Sequence, residues 1–199
     1  MKINRILNEE ISKYVNNMIT ESQKRNRRLV MENNTNRVLL QAMQRLSNGE
    51  DPHNVFDECR KFHDGFAIVR LKKKYNYIDT NGNLLSQTWF DGCWDFNEGF
   101  GKVYLKQDKF NFIDTNGNIL SKEWFINCNN FSEGFAVIQS IHSNYRCNYI
   151  DTNGNLLSKK WFFYCGDFKN GFGNIMIKVD NYDVIWKRID ANGKLHSKN

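Results

Sequence analysis

Four of the five cysteines recur at a near-constant interval: Cys59, Cys93, Cys128 and Cys165 lie 34, 35 and 37 residues apart. Four thiolates gathered in space would suit a soft divalent metal such as zinc, which favours tetrahedral sulfur. Zinc sites usually draw two of their ligands from a short Cys-x-x-Cys turn, and these spacings contain none. The residue pattern therefore favours a ladder of small, buried, polarisable side chains. The sharper alternative is a closed ring that brings all four sulfurs to one metal. Cys147 lies off the ladder, where other copies of the pattern carry Tyr75, Phe110 or Trp186, and reads as a substituted packing residue. The histidines at 53, 63, 142 and 196 share no common position, and no serine or cysteine beside them completes a nucleophile and base. Asp79, Asp114, Asp151 and Asp190 each open an Asp-x-Asn-Gly turn that superficially resembles a calcium loop. Such a loop needs carboxylates at alternate positions and a glutamate at the twelfth, and twelfth from Asp79 is Phe90. A carboxylate that accepts bonds from the amides of its own turn accounts better for the motif. No catalytic residue, cofactor or metal ligand is assigned, and the expectation is a non-enzymatic protein.

These residues are carried by a tandem repeat. VFDECRKFHDGFA begins at Val55, WFDGCWDFNEGFG at Trp89, WFINCNNFSEGFA at Trp124 and WFFYCGDFKNGFG at Trp161. Each is followed by a second phrase, YIDTNGNLLS from Tyr77, FIDTNGNIL from Phe112, YIDTNGNLLS from Tyr149 and RIDANGKL from Arg188. A fixed period of this size means small units that bury their apolar faces against one another. All variation in length falls between the glycine of the first phrase and the aspartate of the second, 14, 15, 17 and 19 residues in successive units. Inserts are tolerated where a chain turns in solvent, so this interval holds a hairpin tip. GFAIVRL, from Gly65 to Leu71, alternates as a half-buried strand should. A second strand runs from Tyr75 to Asp79. Asn81-Gly82 then suits a type I′ turn that pairs Leu84 to Ser86 back. The expected fold is mainly β: four units, 55–88, 89–123, 124–160 and 161–199, in an open solenoid-like array or a small four-bladed propeller.

Residues 1–54 read differently. Ile3, Leu7, Ile11, Tyr14 and Met18 lie three or four apart, placing an apolar stripe on one helix face. Val38, Leu39, Met43 and Leu46 predict a second helix, capped by Asn34 or Thr35 and ended by Asn48-Gly49. The basic run Lys24, Arg25, Arg27, Arg28 separates them, and the single proline, Pro52, marks the junction with the repeats. The segment reads as an end cap or a docking tail.

At 199 residues, with 40% apolar and 14% aromatic content, the chain can bury a core without metals or disulfides. It carries no run long and apolar enough for a membrane span and no secretory leader pattern, so the expected location is cytoplasmic, with a virion-associated protein as alternative. The formal net charge is +6, divided as nine Lys/Arg against six Asp/Glu in 1–54 and 19 against 16 beyond. Gln87, Lys122, Lys159 and Lys198 fall in register after the Leu-Ser step, and stacking would align them as a stripe able to meet phosphates. A solvated face is the ordinary reading of such lysines. Trp89, Trp124 and Trp161 recur beside phenylalanine and read as inter-unit core. Trp94 stands where other units carry Arg60, Asn129 or Gly166, which makes it the tryptophan best placed to be exposed and to bind.

FHDGFA, FNEGFG, FSEGFA and FKNGFG, each followed by YNYIDTNG, FNFIDTNG, CNYIDTNG or WKRIDANG, resemble the WG (or KWG) β-repeat family over residues 55–199. The resemblance departs at the naming dipeptide, where Tyr75-Asn76, Phe110-Asn111, Cys147-Asn148 and Trp186-Lys187 replace Trp-Gly. Members of this family are mostly bacterial or phage-borne, and the resemblance implies a repeat scaffold with no catalytic residue to carry over. The leading expectation is a protein-interaction or structural scaffold whose partner is another protein. It would dock through Trp94, Lys122, Lys159, Arg25, Arg27, Arg28 or the stripe Ile3, Leu7 and Ile11. A nucleic-acid or polyanion binder using the lysine stripe is the alternative, and an accessory structural protein of a phage particle is the third reading.

Overall fold

No glycine or proline occurs between residues 2 and 47, and these residues form one helix, α1 (Lys2–Ser47). The computed structural model describes residues 2–106, 109–179 and 183–197, without the side chains of 2–17, 19, 28, 30–33 and 36. The two helices expected here are one. The polar stretch around Lys24 to Arg27 lacks an apolar stripe, but its Lys, Arg and Gln residues have high helix propensity, and nothing in it breaks the backbone ladder. Asn34 and Thr35 accordingly lie inside the helix and cap nothing. The end falls where expected: Asn48 N–H still reaches the Gln44 carbonyl at 3.1 Å, and Gly49 turns left-handed at φ +80.

Met1–Glu50 and Asp51–Asn199 are separate compact units. The second opens with a one-turn helix, α2 (Pro52–Val55), capped by the Asp51 carboxylate, which accepts from His53 N–H at 2.8 Å. Four small antiparallel sheets follow. The first comprises β1 (Glu58–Cys59), β2 (Phe66–Leu71) and β3 (Lys74–Asp79). The second comprises β4 (Gly92–Asn97), β5 (Phe100–Leu105) and β6 (Lys109–Asp114). The third comprises β7 (Asn127–Cys128), β8 (Phe135–Gln139) and β9 (Cys147–Asp151). The fourth adds a strand: β10 (Tyr164–Cys165), β11 (Phe172–Lys178), β12 (Val184–Asp190) and β13 (Leu195–Ser197). The sheets do not close into a barrel, and no helix among the described residues is long and apolar enough to cross a membrane.

Two kinds of turn build each sheet, and their chemistry is the reverse of the sequence expectation. The Asp-x-Asn-Gly turn is not type I′, which needs positive φ at both central residues. Only its glycine is left-handed, Gly82 at φ +82, and Gly82 N–H closes on the Asp79 carbonyl at 3.0 Å. Doubly left-handed pairs occur instead at Asp64-Gly65, Glu98-Gly99, Glu133-Gly134 and Asn170-Gly171, just ahead of each middle strand, and at the hairpin tips Lys72-Lys73 and Asn144-Tyr145. Asn-Gly was misread because the same dipeptide serves both turns; the aspartate decides between them. Asp79 Oδ1 accepts from Asn81 N–H at 2.9 Å and Asn83 N–H at 2.8 Å, and the arrangement recurs at Asp114, Asp151 and Asp190.

The core lies between successive sheets. Ile68 and Tyr77 of the first sheet, with Phe90 of the crossover, pack against Cys93, Phe96 and Val103 of the second, and the later junctions repeat the plan. β2 is therefore buried on both faces along most of its length, not half-buried as its alternation suggested. In each junction a phenylalanine rises from one sheet to stack on its neighbour, Phe96 on Phe66 at 4.4 Å and Phe168 on Phe135 at 4.3 Å. The crossovers are held by a buried amide. Asn76, Asn111 and Asn148 are fully enclosed, and each donates to a crossover carbonyl, of Ser86, Ser121 or Ser158, at 2.7 to 2.8 Å. Beyond them the chain returns to the same strand, where Phe90, Phe125 and Phe162 pair through the backbone with Tyr75, Phe110 and Cys147.

Candidate interaction surface

Strand register sorts each sheet into rows of three residues lying side by side. One row is nearly invariant: Cys59–Val69–Asn76, Cys93–Val103–Asn111, Cys128–Ile138–Asn148 and Cys165–Ile175–Lys187. Packing explains its constancy, since the branched residue in the middle is sealed from solvent in all four sheets. Burial raises the Cys93 thiol and pushes Cys128 up to about 12, so both stay protonated and unreactive. The ladder reading holds for these two. It does not hold for Cys165, which is disulfide-bonded to Cys147 of the preceding sheet, while Cys59, Cys93 and Cys128 remain free thiols. Among the described residues no three His, Cys, Asp or Glu side chains converge as a metal site.

The next row, one residue nearer the hairpin tips, changes from sheet to sheet. It reads Glu58–Arg70–Tyr75, Gly92–Tyr104–Phe110, Asn127–Gln139–Cys147 and Tyr164–Met176–Trp186. In the first sheet Glu58 bonds Arg70 Nε at 2.9 Å. In the second, Tyr104 and Phe110 meet at 4.9 Å, and in the fourth Tyr164 stands edge-on to Trp186 at 5.2 Å. Between the third and fourth sheets the row leaves a cavity of about 280 Å³, bordered by Asn127, Gln139, Cys147 and Cys165.

Aromatic surface is exposed at several places, among them Phe62, Tyr145, Trp94 and the fourth sheet. Trp94 is 40% exposed, as its substitution for polar or small residues suggested. A bulge between Cys93 and Phe96 turns it outward, Lys102 Nζ lies 4.6 Å from the ring, and the Trp94 carbonyl accepts from the Tyr77 hydroxyl at 2.6 Å. The larger patch is on the fourth sheet, where Phe163, Tyr164, Val184, Ile185 and Trp186 are all exposed. Strand alternation puts Tyr164, Val184 and Trp186 on the face that the next sheet covers in the first three sheets, and among the described residues nothing covers it in the fourth. Phe163 and Ile185 lie on the opposite face, toward the third sheet, where Arg146 sits 4.3 Å over the Phe163 ring. The chemistry shifts to match. Arg188 occupies the position of Tyr77, Phe112 and Tyr149, and its guanidinium lies 4.7 Å over the Phe172 ring, where the other junctions place a phenylalanine.

The remaining candidate residues are scattered. Lys122 and Lys159 are exposed on successive crossovers, with Gln87 at the equivalent place on the first; Lys198 lies outside the described residues. Arg25 and Arg27 are exposed on α1, in the other compact unit. The side chains of Arg28, Ile3, Leu7 and Ile11 lie outside the description. Trp89, Trp124 and Trp161 are partly buried, the last two against the junction cores. The patch around Tyr164 and Trp186 escaped the sequence reading. The signal was there in the fourth copy's substitutions, arginine for the core aromatic and lysine for the clamping asparagine.

The profile of the WG containing repeat matches residues 52–75 and 77–109. Residues 52–109 carry WG repeats. The first matched WG segment begins at Pro52, so α2 is included in it, and the second ends in the tip of the β5–β6 hairpin. No curated protein matches the chain. Among solved structures, the chain is similar to the computationally designed Ika8 protein, at 14% identity and TM-score 0.38, covering 69% of this chain and 47% of that one. It is also similar to BamB from Moraxella catarrhalis, at 10% identity and TM-score 0.37, covering 67% and 46%. The Neurospora crassa Pan2 WD40 domain follows at 14% and 0.35, covering 71% and 51%. The chain thus spans about half the length of each of these three.

Proposed function

We propose that residues 51–199 form an open, solenoid-like array of four WG-type units that serves as a non-enzymatic scaffold and binds another protein through the outer face of its fourth sheet. The observation that carries this reading is the exposed set Tyr164, Val184 and Trp186 on that face, with Tyr164 edge-on to Trp186 at 5.2 Å. Contiguous apolar surface of this kind on a water-soluble fold marks a contact surface, and Tyr and Trp dominate such contacts energetically. The polar groups that recur, aspartate in all four units and asparagine in the first three, are meanwhile engaged in holding the fold. The aspartates bind their own turns, and the asparagines bind the crossovers. What differs between units is the row nearer the hairpin tips, and among the described residues only the fourth sheet leaves the aromatic members of that row uncovered.

The test is capture of partners from a host lysate by the wild-type chain and by a Tyr164→Ser, Trp186→Ser double variant, in a salt series with and without nuclease. A protein retained at high salt by the wild type and lost by the folded variant supports the reading. Equal capture by both chains would sink it. Recovery that disappears with nuclease and salt would instead favour a polyanion held by Lys122 and Lys159, because phosphate contacts weaken steeply as salt rises.

A further inference from the structure

Position 147 breaks the repeat in a way that creates chemistry. In each junction the residue that starts the outer part of one sheet stands 18 positions before a cysteine of the next: Tyr75 before Cys93, Phe110 before Cys128, Cys147 before Cys165. At the first two junctions an aromatic ring fills the space, and there is no second sulfur. At the third, both partners are cysteines, their Cα atoms 5.9 Å apart and joined as a disulfide, a separation at the centre of the range such bonds favour. The geometry points to Cys147–Cys165 as a reversible oxidation site that staples the fourth sheet to the third, made and broken by exchange with small thiols. This stands independently of what the fourth sheet binds.

Three observations support reversibility in place of a permanent cross-link. The remaining bonds at this junction are sufficient to hold the sheets without it. Cys147 and Phe162 exchange backbone bonds at 2.9 and 2.8 Å, the Tyr149 hydroxyl donates to Gly166 at 2.7 Å, and Ser132 Oγ donates to Phe168 at 2.8 Å. Asn129 Nδ2 adds a bond to Asp167 at 2.8 Å. The reduced pair also has somewhere to go, since Cys147 Sγ already lies 3.5 Å from the Phe162 carbonyl, within reach of a thiol donor. Access is provided as well: although both cysteines are almost enclosed, they line the cavity of about 280 Å³, which two sulfurs leave where a ring would fill it.

The exchange balances without a cofactor. A thiolate attacks one sulfur of the pair, forming a mixed disulfide and releasing the other cysteine as a thiolate that takes up a proton. A second small thiol resolves the mixed disulfide, giving a free small-molecule disulfide and the second protein thiol. Two electrons and two protons pass to the protein, and the oxidised small disulfide drives the reverse.

The experiment equilibrates the full chain in buffers of reduced and oxidised glutathione, then blocks free thiols under denaturing conditions and weighs the intact protein. Oxidising buffer is expected to leave three alkylated cysteines, Cys59, Cys93 and Cys128, and reducing buffer all five. Closing a loop of 18 residues is expected to shift the opening of the fourth sheet on the order of a hundredfold. Hydrogen exchange over residues 162–178 reads that shift directly. Cys147→Phe, which restores the ring found at Phe110, should exchange alike in both buffers, as should Cys147→Ser should the larger ring not fit. Cys59→Ser should respond as the wild type does. Five alkylated cysteines across the whole buffer range would overturn the proposal. So would a bond that forms without changing exchange in the fourth sheet.

Discussion

Asn148 and Lys187 occupy the same place in neighbouring sheets, and so do Tyr149 and Arg188. Asn148 and Tyr149 are sealed from solvent, the amide donating to the Ser158 crossover carbonyl and the hydroxyl to Gly166 of the fourth sheet; Lys187 and Arg188 are half-buried. An amide or a phenol can be enclosed only where its hydrogen-bonding groups find partners, because an unmade buried bond costs more than a made one contributes. The crossover supplies that partner for Asn148, and the following sheet supplies it for Tyr149. At 187 and 188, where among the described residues no such crossover or sheet follows, the positions are cationic and half-exposed.

This contrast is open to attack by substitution. The largest effect should come from Asn111→Ala, which removes the donor shared by the carbonyls of Ser121 at 2.8 Å and Glu123 at 3.0 Å and leaves a cavity beside them. A loss of roughly 2 to 3 kcal/mol in urea unfolding is expected, against less than about 0.5 for Lys187→Ala. Equal losses would mean that the crossover clamp contributes nothing special.

A smaller split should separate two left-handed glycines. Gly154, at φ +83, would place an added Cβ 2.6 Å from the Leu120 carbonyl oxygen of the preceding sheet, whereas Gly134, at φ +81, has open space around it. Both alanine variants carry the backbone penalty of about 1 kcal/mol, and Gly154→Ala should cost about 1 to 2 kcal/mol more because the sheets must part. Denaturant midpoints of the two variants measure the difference, and identical midpoints would contradict close approach between these turns and crossovers.

The smallest effect concerns acid. Burial pushes the carboxyls of Asp79 and Asp114 up, but the bonds from Asn83 and Asn81, and from Asn118 and Asn116, outweigh it and hold both below the usual carboxylate range. A depressed folded value means that this stabilisation is fully present above the unfolded value, about 3.9, and is lost as pH falls through the folded one. The Asp114→Asn variant should therefore melt below the wild type at pH 6 and converge with it near pH 2. Curves that stay parallel would show that the turn does not depend on ionisation.

How far the sequence revealed this molecule depended on whether the deciding contacts were local. Repetition, β character, the turn aspartates and the exposure of Trp94 all follow from residues close together in the chain, and they were legible. The continuity of α1 was not, because an absent apolar stripe around Arg25 looks like a break although nothing there interrupts a helix. The asparagines at 76, 111 and 148 looked like mere departures from the Trp-Gly dipeptide, since their carbonyl partners lie 10 residues on, in a crossover without a pattern of its own. Cys147 was the subtlest. Its partner became visible only when the aromatic-to-cysteine interval of 18 was compared across all three junctions. The patch at Tyr164 and Trp186 depends on knowing which face has no neighbour.

The carboxylates of the doubly left-handed turns add a direction to the array. Glu98 accepts from the amides of Glu133 and Gly134, both at 2.9 Å, and Glu133 in turn accepts from those of Asn170 and Gly171 at 2.8 and 2.7 Å. The Tyr149 hydroxyl and the Asn148 amide reach forward in the same sense, always to residues made later. On a ribosome, where the amino end emerges first, every sheet thus appears with its outstretched groups still waiting for chain not yet synthesised. A nascent chain halted after Ser158 would hold the third sheet with its tyrosine hydroxyl and glutamate in water, and release of the next 20 or so residues at the ribosome's pace would close them in one step. Protease challenge of chains arrested on either side of Asn174 should show that step as a sudden gain in resistance of the third sheet.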